Sequence, residues 1–117
     1  MSKFTVKLLP KAYRDLEQIY RDISESLMEN NTALDIIEEI EDAILSLDEF
    51  PNRGAVRKVG VYGNKGYRQL FIKNFTIIYR VDEINKYVII ITIKYNQSKF
   101  WFMIPFNALA MFPLRKY

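Results

Sequence analysis

Apolar and polar positions alternate loosely in "FTVKLL" (4–9), a run rich enough in branched and aromatic residues for a short strand. Pro10 follows, suited to a helix's first turn, where its missing N–H has no intrahelical acceptor in any case. From there apolar residues recur at helical spacing: Ala12, Leu16, Ile19, Tyr20, Ile23 and Leu27. "ENNT" (29–32) breaks the stripe. Thr32 with Asp35 resembles a capping box, Asp standing in for the usual Glu. A second helix should bury Ile36, Ile37, Ile40, Ala43, Ile44 and Leu47 and end before Pro51. The two helices form a hairpin. "PNRGAVRKVGVYGNKG" (51–66) reads as a loop holding a short strand near Val59–Tyr62. Its four glycines fit turns, and they match no phosphate-binding fingerprint. Three strand-like runs follow at about 67–72, 75–81 and 87–95.

Parity predicts the faces of this meander, because successive strand residues point opposite ways. A three-residue link at 73–75 sets Arg68 opposite Arg80, and a five-residue link at 82–86 sets Arg80 opposite Val88. The even face then carries Arg68, Leu70, Ile72, Thr76, Ile78, Arg80, Val88, Ile90, Thr92, Lys94 and Asn96. The odd face carries Phe71, Ile77, Tyr79, Val81, Ile89, Ile91 and Ile93. The drier odd face should receive the helices, leaving a mixed even face partly open to water. Two arginines directly opposite repel, which is tolerable where the pair meets solvent or an anion.

Composition narrows the chemistry. The chain has 117 residues, half of them hydrophobic and 15% aromatic, which suits one domain with a real core. It has no cysteine and no histidine. Disulfides, thiolate metal sites and the usual general base are thereby removed, and no metal or cofactor is expected. No apolar run of signal-peptide length opens the chain, and none reaches ~18 residues, so neither export nor membrane spanning is expected. A cytoplasmic location follows as the default expectation.

The net charge of +3 hides an asymmetry. Residues 1–50 hold five Lys/Arg against twelve Asp/Glu, and residues 51–117 hold twelve against two. One reading is a solvated acidic helical surface beside a basic sheet surface. The other is a dipolar molecule whose basic half meets phosphates or an acidic protein.

The order strand, helix, helix, meander now combines with "FTVKLLPKAYRDLEQIY", "ILSLDEFPNRG", "YRQLFIKNFTIIYRVDE" and "IIITIKYNQSKF". Together they resemble the RelE/ParE superfamily of bacterial toxins over roughly residues 4–100. The resemblance implies an α+β fold in the order β-α-α-β-β-β, with a helical hairpin on a mainly antiparallel twisted sheet. It implies a toxin domain at 1–99, with 100–117 as an apolar extension of that domain. The implied role is the toxin of a type II toxin–antitoxin module, bound by a cognate antitoxin as a hetero-oligomer.

Two mechanisms come with the resemblance. In the ribosome-dependent ribonuclease branch, basic residues of an open-face cleft bind mRNA and help the 2′-hydroxyl attack its phosphate. Arg68 matches a frequent basic position there. Thr76 and Asn96 stand where that branch usually has charged catalytic side chains. The implied RNA-binding set is Arg68, Arg80, Lys94, Asn96 and Lys99. The catalytic candidates are Arg68, Arg80 and Tyr95, the last as proton donor if the strand ends or bulges to turn it into the cleft. The ParE branch instead inhibits DNA gyrase by protein contact. The terminal "FWFMIPFNALAMFPLRKY" (100–117) departs from the charged end usual in the family. Phe100, Trp101 and Phe102 are its candidate partner-binding residues, buried by the core, the antitoxin or a second copy.

Overall fold

The computed structural model describes residues 3–27 and 30–96, with backbone alone at Leu27, Asn30 and Asn31. Lys99, Phe100, Trp101, Phe102 and the rest of the C-terminal extension lie outside the described residues.

Strand β1 (Thr5–Leu8) leads at once into helix α1 (Pro10–Leu27). Proline takes the first helical position, and the Leu9 carbonyl accepts from the N–H groups of Ala12 and Tyr13. α1 buries Ala12, Ile19, Ile23 and Ser26, at the spacing of a single helical face. Helix α2 (Asn30–Leu45) buries Ala33, Ile40, Ala43 and Ile44 and runs into a 3-10 turn, Ser46–Asp48, that seats Leu47 in the core. The expected capping box is corrected: the helix is already under way at Asn30, so Thr32 sits inside its first turn. Asparagine serves at a helix start as readily as threonine, so the polar "NNT" cluster does not single out Thr32.

Strands β2 (Ala55–Val56), β3 (Arg68–Ile72), β4 (Phe75–Asp82) and β5 (Tyr87–Tyr95) complete a five-stranded sheet in the order β1-β5-β4-β3-β2. β1 joins β5 in parallel, and every other pairing is antiparallel. The short strand expected near Val59–Tyr62 lies earlier, at Ala55–Val56. Gly60, Asn64 and Gly66 adopt positive φ of 74°, 56° and 86°, which cannot continue an extended run.

The register differs from expectation in three places. β3 and β4 are joined by a two-residue turn, Lys73-Asn74, with Lys73 at φ 55°, so Ile72 pairs with Phe75 and Arg68 with Tyr79, not Arg80. Two-residue turns with left-handed backbone match the strand twist better than longer links. A one-residue slip sends every side chain of β3 to the other face. Leu70 is therefore buried in the core and Phe71 exposed, the reverse of the parity reading. The second lies at the β4–β5 link: Asp82 pairs with Tyr87 and Arg80 with Ile89, not Val88, so Val88 and Ile90 turn to the helices, against the parity reading. The third is further along the same pair. Ile78 pairs with Thr92 but Tyr79 pairs with Ile90, leaving Ile91 as an extra residue in a bulge. Val88 and Ile90 below the bulge, and Ile93 and Tyr95 above it, thus all reach the helix side.

Between sheet and helices lies one core, including Leu70, Phe75, Ile77, Tyr79, Val88, Ile90 and Ile93 against Ala12, Ile19, Ile40 and Leu47. Each large side chain buried there stabilises the fold by about 1.5–3 kcal/mol. At the sheet edge beyond β1, Asp15 of α1 substitutes for a missing strand. Its carboxylate accepts from the Ile93 N–H at 3.0 Å and from the Thr92 hydroxyl, with the Lys11 ammonium 3.1 Å away.

Candidate functional site

The face opposite the helices carries Gln69 and Phe71 from β3, Thr76, Ile78 and Arg80 from β4, and Thr92 and Lys94 from β5. It is not uniformly wet: Thr76 and Ile78 are buried, whereas Arg80 and Lys94 are exposed. A cavity of about 490 Å3 opens on this face, lined by Arg57, Val59, Gln69, Phe71, Thr76, Lys94, Tyr95 and Asn96. Thr76 and Lys94 are direct cross-strand partners. The Asn96 N–H donates to the Asn74 carbonyl at 2.7 Å, tying the end of β5 to the β3–β4 turn.

Arg57 comes from the loop over β3. Its Nη1 donates to Gln69 Oε1 at 2.8 Å and its Nε to the Val59 carbonyl at 3.1 Å. These bonds orient the guanidinium, whose fork has five N–H groups in all. Arg57 and Lys94 give the cavity two cations, able to neutralise a phosphate or hold a carboxylate. No Asp, Glu, His or Cys lines it.

The loop behind Arg57 is held from the helix side. Buried Tyr79 donates its hydroxyl to the Pro51 carbonyl at 2.8 Å and accepts from the Gly54 N–H at 3.0 Å. Burial raises its pKa above the ordinary tyrosine value, against the lowering effects of the Gly54 N–H and of Arg68 and Arg53. Arg68 shares the face of Tyr79, and its Nη1 donates to the Gly54 carbonyl at 2.7 Å. Gly54 passes so close to the sheet that an added Cβ would lie 2.4 Å from the Gln69 carbonyl oxygen.

The predicted residues therefore separate. Arg68 is on the helix side clamping a loop, and Arg80 is on the open face opposite Ile89, outside the cavity lining. The two arginines do not face each other. Lys94 and Asn96 line the cavity together with Thr76. Tyr95 reaches the cavity wall, but its ring packs on Phe75 at 5.0 Å and its hydroxyl donates to Asp22 Oδ2 of α1 at 3.3 Å. Burial, then the Asp22 charge, pushes its pKa far above the usual tyrosine value. The helix side is where its odd parity places Tyr95, since the shift at the β4–β5 link and the bulge at Ile91 cancel beyond the bulge; the bulge does not turn it into the cleft. Arg57, Gln69 and Phe71 were not singled out as site residues. The slip at Lys73-Asn74 hid the last two, while Arg57 in the glycine-bracketed "GAVRKVG" carried a local signal.

A second concavity, of about 790 Å3, runs along the helical hairpin, with Tyr13, Leu16, Tyr20, Leu34, Ile37 and Leu45 among its walls and Glu17, Arg21 and Glu41 among its polar residues. Among the described residues, no group of three or more His, Cys, Asp or Glu side chains is placed to hold a metal ion, and no helix is long and apolar enough to cross a membrane.

No curated protein matches the sequence. Solved structures do. A chain of the chromosomal ParDE toxin–antitoxin system from Pseudomonas aeruginosa is 28% identical with a TM-score of 0.65, covering 80% of this chain and 96% of that one. A chain of a RelBE toxin–antitoxin complex from Mycobacterium tuberculosis is 20% identical with a TM-score of 0.55, covering 81% and 93%. An Escherichia coli RelE toxin mutant in the free state shares the fold at 9% identity and a TM-score of 0.56, covering 98% and 99%. The family model of the ParE toxin of type II toxin–antitoxin system, parDE, matches residues 6–99. That span takes in both helices and, but for Thr5 at the start of β1, all five strands among the described residues, and the chain belongs to the ParE toxin family of type II toxin–antitoxin systems.

Proposed function

We propose that this toxin arrests growth by binding DNA gyrase and is held in check by a cognate antitoxin in the cytoplasm. One observation carries the choice over RNA cleavage. At the positions where the ribonuclease branch places its chemistry, the cavity has the neutral side chains of Thr76 and Asn96, and the Tyr95 hydroxyl is committed to Asp22. Cleavage through a 2′-hydroxyl needs a placed proton acceptor and donor; among the described lining residues the Lys94 ammonium can donate, but no carboxylate or imidazole is there to accept. The 28% identity to a ParDE chain points the same way. The antitoxin's seat is the helical-hairpin groove, whose apolar walls suit one face of an amphipathic helix.

A second reading keeps the ribosome as target. Arg57 and Lys94 in one cavity favour it, since two cations hold an RNA phosphate without any catalytic group. Induction of the chain alone separates the two. Loss of negative supercoiling with intact mRNA ends at ribosomes is expected for gyrase binding. New mRNA ends, or translation stopping before supercoiling changes, would move the assignment to the ribosome. Normal growth at verified levels of soluble chain would identify an inactive relative that retains antitoxin binding alone.

A further inference from the structure

We propose that the β2–β3 loop, with Phe71 beside it, is the surface through which the toxin docks an acidic protein target. The inference rests on the gyrase-binding reading for the identity of that target.

Three apolar side chains stand in solvent here, Val59 at 63%, Val61 at 77% and Phe71 at 51% exposure, with Val59 and Phe71 on one cavity wall. Single exposed apolar residues are ordinary, but a group on one loop and its adjoining strand marks an interaction surface. The loop is built to hold them outward. The Arg57 N–H donates to the Tyr67 carbonyl at 2.8 Å, and the Asn64 N–H returns to the Arg57 carbonyl at 2.9 Å. The Gly63 N–H donates to the Gly60 carbonyl at 3.0 Å, and Tyr62 meets Tyr67 edge-on at 5.1 Å. At Gly63 an added Cβ would lie 2.7 Å from the Val59 nitrogen, so the turn closes tightly on itself. A surface formed in advance loses less conformational freedom on binding.

Charge selects the partner. Between Phe50 and Asp82 there are seven Lys/Arg and no acidic residue, and Arg57, Lys58 and Lys65 lie in the loop itself. A protein is favoured over a nucleic acid by the kind of apolar group presented. Unpaired bases are gripped by aromatic or guanidinium planes. Phe71 is such a plane at the edge of this surface, but the Arg57 guanidinium is bonded to Gln69 and Val59, Tyr62 and Tyr67 are spent on each other, and the loop's tips, Val59 and Val61, are branched aliphatics. Valines with a basic rim fit an apolar pocket bordered by carboxylates.

Two variants of the full chain test this. Val59→Asp/Val61→Asp places charge on the apolar tips, and Lys58→Glu/Lys65→Glu reverses the rim at two exposed lysines and remains usable if the first variant folds poorly. Each is compared with wild type in melting temperature, inhibition of purified gyrase and growth arrest on induction. The expected result is unchanged melting with at least a tenfold loss of gyrase inhibition and of arrest. Wild-type inhibition should also weaken with salt more steeply than that of the lysine variant. Folded variants that inhibit gyrase as well as wild type overturn the docking surface and leave the gyrase reading standing. A wild type that spares gyrase but stops growth, with arrest lost in the variants, overturns gyrase as target and retains the surface. Arrest unchanged in variants of such a chain, or a wild type that neither inhibits gyrase nor slows growth, overturns both.

Discussion

Tyr79, Arg68 and Tyr95 look like candidates for chemistry, and in the structure each has a bonded structural position. Arg68→Ala should lower stability by about 1–2 kcal/mol, because it deletes a charged donor from the Gly54 carbonyl. Arg80→Ala at its exposed position should change stability by less than ~0.5 kcal/mol. Equal effects in denaturant titrations would contradict the separate settings described for the two arginines. The tyrosines give a pH signature. Both have folded-state pKa values raised above the ordinary tyrosine value of about 10. A raised value means the folded state holds the proton more tightly. Their contribution is therefore fully present below about pH 10 and declines as pH climbs from there towards the folded-state values. Tyr95→Phe should cost about 1 kcal/mol at neutral pH by removing a donor to Asp22, and should make the loss of stability above pH 10 shallower. Melting temperatures of both proteins from pH 7 to 11 check this, and parallel curves would rule it out.

Among the elements, the helices and strand spans were legible because their signals are local. Pro10 marks a start, the apolar stripe of α1 has one period, and strands expected at 67–72, 75–81 and 87–95 are observed within one residue at each end. Registers were not legible, since they depend on small events with weak signatures. Nothing in "IKNFT" shows that Lys73 goes left-handed and leaves Phe75 to the strand. In "VIIITI" (88–93) apolar residues occupy both parities, so a bulge at Ile91 leaves the pattern unchanged. These two events decide the candidate site. The turn brings Gln69 and Phe71 into the cavity and sends Arg68 out of it, and the bulge restores Tyr95 to the helix-side parity read from the sequence. Lys94 and Asn96 follow the expected open-face parity because two shifts, one at the β4–β5 link and one at the bulge, cancel beyond Ile91. At the same scale, Gly54→Ala should destabilise the loop–sheet junction by about 1–3 kcal/mol, since the new methyl meets the Gln69 carbonyl and the Tyr79 hydroxyl. Chemical denaturation checks it, and a stability within error of wild type would mean the junction yields freely.

For the whole molecule, the uneven charge of the sequence becomes a difference between layers: acidic residues crowd the helical hairpin, and basic ones the sheet and its loops. The proposed antitoxin groove and target surface thus lie on different layers. Leu34 is half exposed in the groove and remote in sequence from the loop at 57–67. Leu34→Glu should weaken antitoxin binding at least tenfold, about 1.4 kcal/mol or more, while leaving growth arrest by the lone toxin intact. Co-expression with the antitoxin would then fail to restore growth. Restoration equal to wild type would place the antitoxin elsewhere.

The parallel seat of β1 beside β5 has a consequence for timing during synthesis. Val6 finds its partner only when Val88 exists. At ~5–20 residues per second, about 4–16 seconds separate the emergence of those two partners from the ribosome. Throughout that interval α1 lacks the strand of the sheet it packs on most, and the cavity residues Lys94 and Asn96 are still to come. Until β5 emerges the sheet lacks an interior strand and the cavity part of its lining, so an antitoxin already in the cell has those seconds in which to be waiting.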